Sequence, residues 1–137
     1  MWWGLALLSA LFAALTTIFA KIGLSEVSPT LATAIRTAII VPLAWGLVFV
    51  TGDATSVRSV TSRGWLFLTL SAIATGASWL CYFQALQIGT ASAVAAIDKT
   101  SLVLVLLLGV IFLQEPLDLR TGLGIALIVS GTLVLIR

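Results

Sequence analysis

The chain has 137 residues, 61% of them hydrophobic and 9% charged, with a mean hydropathy of +1.22. Soluble domains are nearer a quarter charged, so this composition excludes an ordinary water-soluble protein and predicts an integral membrane protein. The net charge of +2 comes from scattered basic residues, which argues against nucleic acid binding. One cysteine and no histidine exclude an intrachain disulfide and make a metal site or cofactor unexpected.

Apolar runs of membrane-spanning length follow one another along the chain. About 20 apolar helical residues cross the roughly 30 Å hydrocarbon core of a bilayer. The first run begins at Trp2 without a basic segment or a cleavage site, so we expect a retained helix and not a signal peptide. The sequence thus predicts an all-α membrane protein, a single bundle of five transmembrane helices. These helices lie at about 2–20, 30–50, 65–86, 91–113 and 121–136.

The loops between these helices carry nearly balanced positive charge. Five crossings place Arg58, Arg63 and Arg120 on one side of the membrane and Lys21 and Arg137 on the other. Lysine and arginine in short loops set orientation, and three against two is a weak bias. Such a chain can insert in both orientations and form an antiparallel pair of identical subunits, although ordinary small membrane proteins also show weak biases.

Three ionisable residues fall within the predicted helices, namely Arg36, Asp98 and Lys99. Each costs a few kcal/mol at depth in a bilayer, so each is a functional candidate with a partner to be found. Arg36 and Asp98 lie about 9 and 10 Å from the starts of helices that begin on the same side. Neighbours on a helix point about 100° apart, so we expect Asp98 to pair with Arg36 and not with Lys99.

These three charges permit two interpretations. In the functional one, they line a water-accessible, positively charged cavity that binds the carboxylate of an anionic or zwitterionic solute. Asp98 is also the only carboxylate within a predicted span, which makes it the candidate for proton coupling. In the structural one, Arg36 and Asp98 fix the helix register and the Lys99 side chain extends to the interface.

The third helix carries a stripe of hydroxyl groups on one face, formed by Ser71, Thr75, Ser78 and Tyr82, with Trp79 beside it. Hydroxyls and aromatic rings together can hydrogen-bond a solute and cover its apolar part. Serine and threonine also join membrane helices to one another. The stripe therefore indicates either a substrate wall or a packing surface.

The last helix contains two rows of small residues. Gly122, Ala126 and Ser130 form a small-xxx-small row, and Gly124 and Gly131 share another face. Small residues let two helices approach closely in a membrane. We expect these rows to pack against another helix, within the monomer or between subunits.

Four short tracts follow one another along the second half of the chain: YFQAL at 82–86, AIDKTS at 96–101, FLQEPL at 112–117 and GLGIALI at 122–128. In this order and spacing they resemble the EamA domain of the drug/metabolite transporter superfamily. The early Arg36 in the second helix also matches that family, and the resemblance covers essentially the whole chain. The IDK-S tract and the E-x-L turn after the fourth helix are similar to its single-domain, five-helix branch.

This resemblance implies half of a transporter. Full-length members have two inverted five-helix domains around a cavity that opens alternately to either side, so a single domain implies an antiparallel homodimer. The expected function is a secondary transporter, an exporter of a polar metabolite such as an amino acid, in a prokaryotic inner or plasma membrane. Its partners would be the small-molecule substrate, the lipid bilayer and a second copy.

The same residues also permit a function other than transport, and they argue against an enzyme. The alternative is a non-transporting membrane subunit or a partner of a lipid-linked-substrate flippase, in which Arg36 and Asp98 only hold the bundle together. The predicted spans contain no nucleophile with a base, no set of metal ligands and no phosphate loop. An enzyme is therefore not expected.

Overall fold

The residues that the structure describes form helices joined by short turns. The structure is a computed structural model that describes residues 1–116 and 118–135, and these contain no β-strand. Ile136, where the last predicted helix ends, lies outside the described residues, as do Leu117 and Arg137. The elements are α1 (Trp2–Gly23), α2 (Pro29–Thr51), a 3₁₀ helix (Asp53–Ser59), α3 (Ser62–Ile88), α4 (Ala91–Asp98), α5 (Ser101–Leu113) and α6 (Leu119–Leu135).

Four helical segments among the described residues are long and apolar enough to cross a membrane. They are α1, α2, α3 and the 23-residue run Ala91–Leu113, which contains α4 and α5. Helix α6 is apolar but has only 17 residues, which at 1.5 Å each is about 25 Å. The expectation of an all-α membrane protein is confirmed, and the fifth crossing stays a prediction.

The surface of the protein is rich in large apolar side chains. Val50 is 85% exposed and Phe112 is 77% exposed, and similar residues cover every long helix. Contiguous apolar surface of this kind is unfavourable in water but matches the hydrocarbon of a bilayer. Apart from the groups at its two ends, the backbone of a helix is hydrogen-bonded within the helix, which is the condition for crossing lipid.

The chain divides into two compact units, and the first, Met1–Gln87, contains α1 to α3. Helix α2 begins where Ser28 Oγ accepts a hydrogen bond from the Leu31 N–H at 3.3 Å, with Pro29 at the first helical position. It ends at Gly52, whose φ of 78° is the left-handed conformation that a glycine adopts without strain. The polar segment after it, expected to be a loop, forms the 3₁₀ helix.

The turn between α1 and α2 is held against the end of α3 by two side chains, which we call the turn clamp. Lys21 Nζ donates to the Leu86 carbonyl. Gln87 Nε2 donates to the carbonyls of Leu24 at 3.2 Å and Val27 at 3.0 Å. Turn carbonyls that would lack partners in a membrane are therefore satisfied, and the three helices of this unit are joined at one end.

The second unit, from Ile88 onward, contains α4, α5 and α6. Helix α4 begins at Thr90, whose side chain accepts from the Ala93 N–H at 3.4 Å. The predicted fourth helix is interrupted at Lys99 and Thr100, where the Lys99 N–H bonds to Ala96 O and the Thr100 N–H to Ile97 O. These are i to i−3 bonds, which tighten the chain locally and separate α4 from α5.

Helices α4 and α6 pack together within this unit. Buried Thr132 of α6 donates to Ala96 O of α4 at 3.2 Å and to Ile128 O of its own helix at 2.9 Å. The single hydroxyl proton of Thr132 is thus shared between these two carbonyls and links α6 to α4.

Candidate functional site

The first unit contains an apolar groove with a volume of about 770 Å³ between α1, α2 and α3. A volume of this size lies in the range of pockets for drug-sized ligands, about 300 to 1,000 Å³. Its lining has one charged residue, Arg36, and one hydroxyl, Thr16. The full lining is Thr16, Phe19, Ala20, Gly23, Leu24, Val27, Ala32, Ile35, Arg36, Ile39, Ile40, Leu43 and Phe83.

Within the first unit, Arg36 contacts two aromatic rings. Its guanidinium carbon lies 4.8 Å from the ring centre of Phe83 and 5.1 Å from that of Trp79, both on α3. Cation–π contacts at these distances stabilise the charge by roughly 0.5 to 2 kcal/mol. Within residues 1–87, all of which the structure describes, the guanidinium has no hydrogen-bond acceptor. Its planar edge can therefore bind a carboxylate from a solute.

The position of Arg36 follows from the start of α2. Counted from Pro29 at 1.5 Å per residue, Arg36 lies about 10 Å along the helix. Ile39, Ile40 and Leu43 follow it at i+3, i+4 and i+7 and therefore share its face. The same face of α2 thus carries one positive charge followed by three apolar side chains.

The hydroxyl of Tyr82 contacts α1 and does not line the groove. It lies 2.9 Å from Thr17 Oγ1, and Thr17 Oγ1 donates at 3.0 Å to Ala13 O. A hydroxyl has one proton, so Tyr82 is the donor to Thr17. Thr17 is 9% exposed, and this hydrogen bond fixes α3 against α1 beside the aromatic rings that hold Arg36.

We expect Thr17→Val to destabilise the protein by about 0.5 to 1.5 kcal/mol, because Tyr82 loses its acceptor at a buried position. The midpoint of chemical unfolding in micelles, followed by tryptophan fluorescence, measures this effect. Thr37→Val is the matched control, since the exposed Thr37 hydroxyl donates only to Thr33 O of its own helix. Equal losses in the two variants would contradict a specific role for the Thr17–Tyr82 bond.

The remaining predicted residues of α3 are placed differently from Trp79 and Tyr82. Thr75 Oγ1 donates at 2.9 Å to Ser71 O, one turn back in its own helix, and Ser78 is exposed. Neither is in the groove lining. Of the predicted substrate-binding residues in this unit, the structure brings together Arg36 and Trp79.

Asp98 and Lys99 lie in the second unit, at the interruption between α4 and α5. Lys99 Nζ is 3.8 Å from Asp98 Oδ2, and both side chains are exposed. The expectation that these neighbours do not neutralise each other is wrong, because it assumed a continuous helix. Helix α4 ends at Asp98, and the flexible Lys99 side chain turns back toward the carboxylate. The pairing of Asp98 with Arg36 stays a prediction.

The small residues of α6 make no close approach within the second unit as far as it is described. A Cβ added at Gly122, Gly124 or Gly131 would meet nothing within 4 Å. Ser130 Oγ donates to Ala126 O in its own helix. Helix α6 instead contacts α4 through Thr132. The packing role of the two small-residue rows, within the monomer or between subunits, stays a prediction.

Several residues of the site carry no distinctive signal in the sequence. Phe83 is 1% exposed and stacks on Arg36, but one phenylalanine in an apolar helix is indistinguishable from core. Thr16 and Thr17, in contrast, are adjacent hydroxyl-bearing residues in the mainly apolar first helix, and this pair could have identified them as polar contacts.

Comparison with known proteins gives one family and one close relative. The sequence model of the EamA-like transporter family matches residues 1–137. A curated protein of Sinorhizobium sp., named "Uncharacterized transporter in cobO 3'region", is 48% identical over 134 residues, covering 98% of this chain and 95% of that protein. No solved structure matches. The similarity therefore extends over whole chains.

Proposed function

Since the chain belongs to the EamA-like transporter family, we propose that it is a secondary transporter that exports a small carboxylate-bearing metabolite, the class that includes amino acids. The observation that carries this proposal is Arg36. It is a cation in an otherwise apolar groove, oriented by two aromatic rings, and it has no acceptor within its own unit. A solute carboxylate supplies the missing partner.

Asp98 is the proposed proton carrier. It lies where the helical run Ala91–Leu113 is interrupted, and interrupted helices in transporters commonly form ion and substrate sites. Its carboxylate is paired only loosely with Lys99, at 3.8 Å, and both groups are exposed. Lys99 adds a positive charge beside this carboxylate.

The proposed active form is an antiparallel homodimer that works by alternating access. One family match spans the chain, so one copy supplies one domain of this kind. Five helices related to five others by inversion would enclose a pathway with equivalent inward and outward openings. The nearly balanced loop charges permit the two insertions, and a prokaryotic cytoplasmic membrane is the proposed location.

Solute counterflow in proteoliposomes tests the transport function. Vesicles that contain the protein and a high internal concentration of a carboxylate-bearing solute should take up the same labelled solute faster than empty vesicles. Tags on both termini, probed with an impermeant reagent in cells, should each be found on both sides. Folded protein that exchanges no carboxylate-bearing solute would contradict the transporter proposal, and one fixed orientation would contradict the antiparallel homodimer.

A further inference from the structure

The groove combines two helical faces of matching pattern. Thr16, Phe19, Ala20 and Gly23 of α1 recur at i, i+3, i+4 and i+7, and so do Arg36, Ile39, Ile40 and Leu43 of α2. Both faces are apolar apart from the Arg36 guanidinium and the Thr16 hydroxyl. The groove is therefore mainly apolar, with one positive charge and one hydroxyl group in its lining.

The charge lies toward one end of this groove. Along α2 the lining begins at Ala32 and ends at Leu43, so Arg36 is about 6 Å from one end and about 10 Å from the other. Leu43 and its neighbours on the long side are apolar. A ligand with its anionic group on Arg36 therefore has about 10 Å of apolar wall along which to place its body.

The lining also lacks the groups that a zwitterion requires. Within residues 1–87 no acidic side chain lines the groove. The ammonium of an amino acid bound by its carboxylate to Arg36 would lie against isoleucine and phenylalanine with no acceptor other than Thr16. Burying a charged group without a partner is strongly unfavourable. The groove thus selects against the ammonium group while it favours the carboxylate.

We infer that the ligand of this groove is an organic monoanion with an apolar body about 10 Å long, of which a medium-chain carboxylate is the simplest example. The anion binds through Arg36, and its body lies along Ile39, Ile40 and Leu43. That this anion is the transported substrate rests on the proposed function. Among carboxylate-bearing solutes, the expected ligands are therefore those with an apolar body, and polar zwitterions are not expected to bind.

Three probes of one chain length test this inference on the full-length protein in phosphatidylcholine nanodiscs. They are octanoate, octanamide and 2-aminooctanoate, which share the apolar body and differ in charge. Octanoate should raise the melting temperature at concentrations at least about tenfold lower than the other two require. Equal or stronger stabilisation by the zwitterion would overturn the assignment.

A matched pair of leucines on α2 tests where the apolar body lies. Leu43 lines the groove and is 64% exposed, whereas Leu47, one turn further along, does not line it and is 66% exposed. Leu43→Gln should weaken octanoate binding about tenfold, because the apolar body of octanoate would then lie against a polar side chain. Leu47→Gln should bind octanoate like the unmodified protein. The same octanoate affinity in both variants would contradict the proposed position.

The outcomes for the ligand and for transport are separable. Octanoate binding that depends on Leu43, without counterflow of any solute, would support the groove assignment and contradict the proposed function. Counterflow of zwitterionic amino acids without octanoate binding would support a transporter and overturn the ligand class. Stabilisation by phosphatidylglycerol nanodiscs with no response to octanoate would identify a lipid site and also overturn it.

Discussion

Replacing Arg36 with glutamine is expected to reduce the counterflow rate of the reconstituted protein by about 10- to 150-fold. A hydrogen bond to a charged group contributes about 1.5 to 3 kcal/mol, and 1.4 kcal/mol corresponds to a factor of ten. Glutamine retains amide donors but removes the charge that the Trp79 and Phe83 rings stabilise. The measurement is the initial rate of labelled solute uptake at matched protein density.

The Arg36→Lys variant tests whether the positive charge alone is sufficient or whether the planar guanidinium is also required. Lysine keeps the positive charge but lacks the planar fork that stacks on rings and binds both carboxylate oxygens. We expect an intermediate loss, about tenfold, with most of the change in the apparent affinity for the solute.

Arg63 provides the matched control for Arg36. Its guanidinium carbon lies 5.8 Å from the Phe67 ring centre in the first turns of α3, and it does not line the groove. Arg63→Gln removes the same kind of charge and ring contact without touching the site, so transport should be unchanged. If Arg36→Gln and Arg63→Gln behave alike, the carboxylate role of Arg36 is wrong.

Replacing Asp98 with asparagine is expected to abolish accumulation of solute driven by a pH gradient while counterflow persists. Exchange of solute for solute needs no net proton movement, whereas accumulation against a gradient needs a group that gains and loses a proton. Asparagine has the shape of aspartate but cannot carry a proton in this way. The assay compares uptake with and without an imposed pH difference across the vesicle membrane.

Two further variants distinguish proton coupling from structural damage. Asp98→Glu keeps the carboxylate and should retain part of the pH-driven accumulation. Asp53→Asn alters an exposed carboxylate of the 3₁₀ helix that accepts from Thr51 Oγ1, and it should have no effect. Accumulation by Asp98→Asn equal to that of the unmodified protein would exclude Asp98 as the proton carrier.

The long helices could be predicted because each is specified by a local property. An apolar run of spanning length between polar turns is sufficient to predict a membrane-spanning helix. Ser28 and Pro29, at the start of α2, are local signals for the beginning of a helix. The interruption at Lys99 and Thr100 carries no such signal, since no glycine or proline stands there. It depends on i to i−3 hydrogen bonds, which apolar periodicity does not specify.

The candidate site was predictable only where its residues are unusual for a membrane helix. Arg36 is conspicuous by its charge, and Trp79 by its size beside polar neighbours. The apolar wall of the groove could not be predicted, because Ile39 or Leu43 in a spanning helix could equally face lipid. Which apolar side chains line a groove depends on how the helices pack, and a helix that is apolar all round gives no preferred direction.

The turn clamp has a consequence for the order in which the protein is made. Lys21 donates to the Leu86 carbonyl, and Gln87 donates to the Leu24 and Val27 carbonyls, across 60 to 65 positions of sequence. When α1 and α2 have entered the membrane, Leu86 and Gln87 have therefore not yet been synthesised. The hydrogen bonds that hold the turn between α1 and α2 cannot form until then. We expect the first hairpin to stay loosely closed in the membrane until α3 has been synthesised to its end, when Arg36 also acquires its aromatic neighbours.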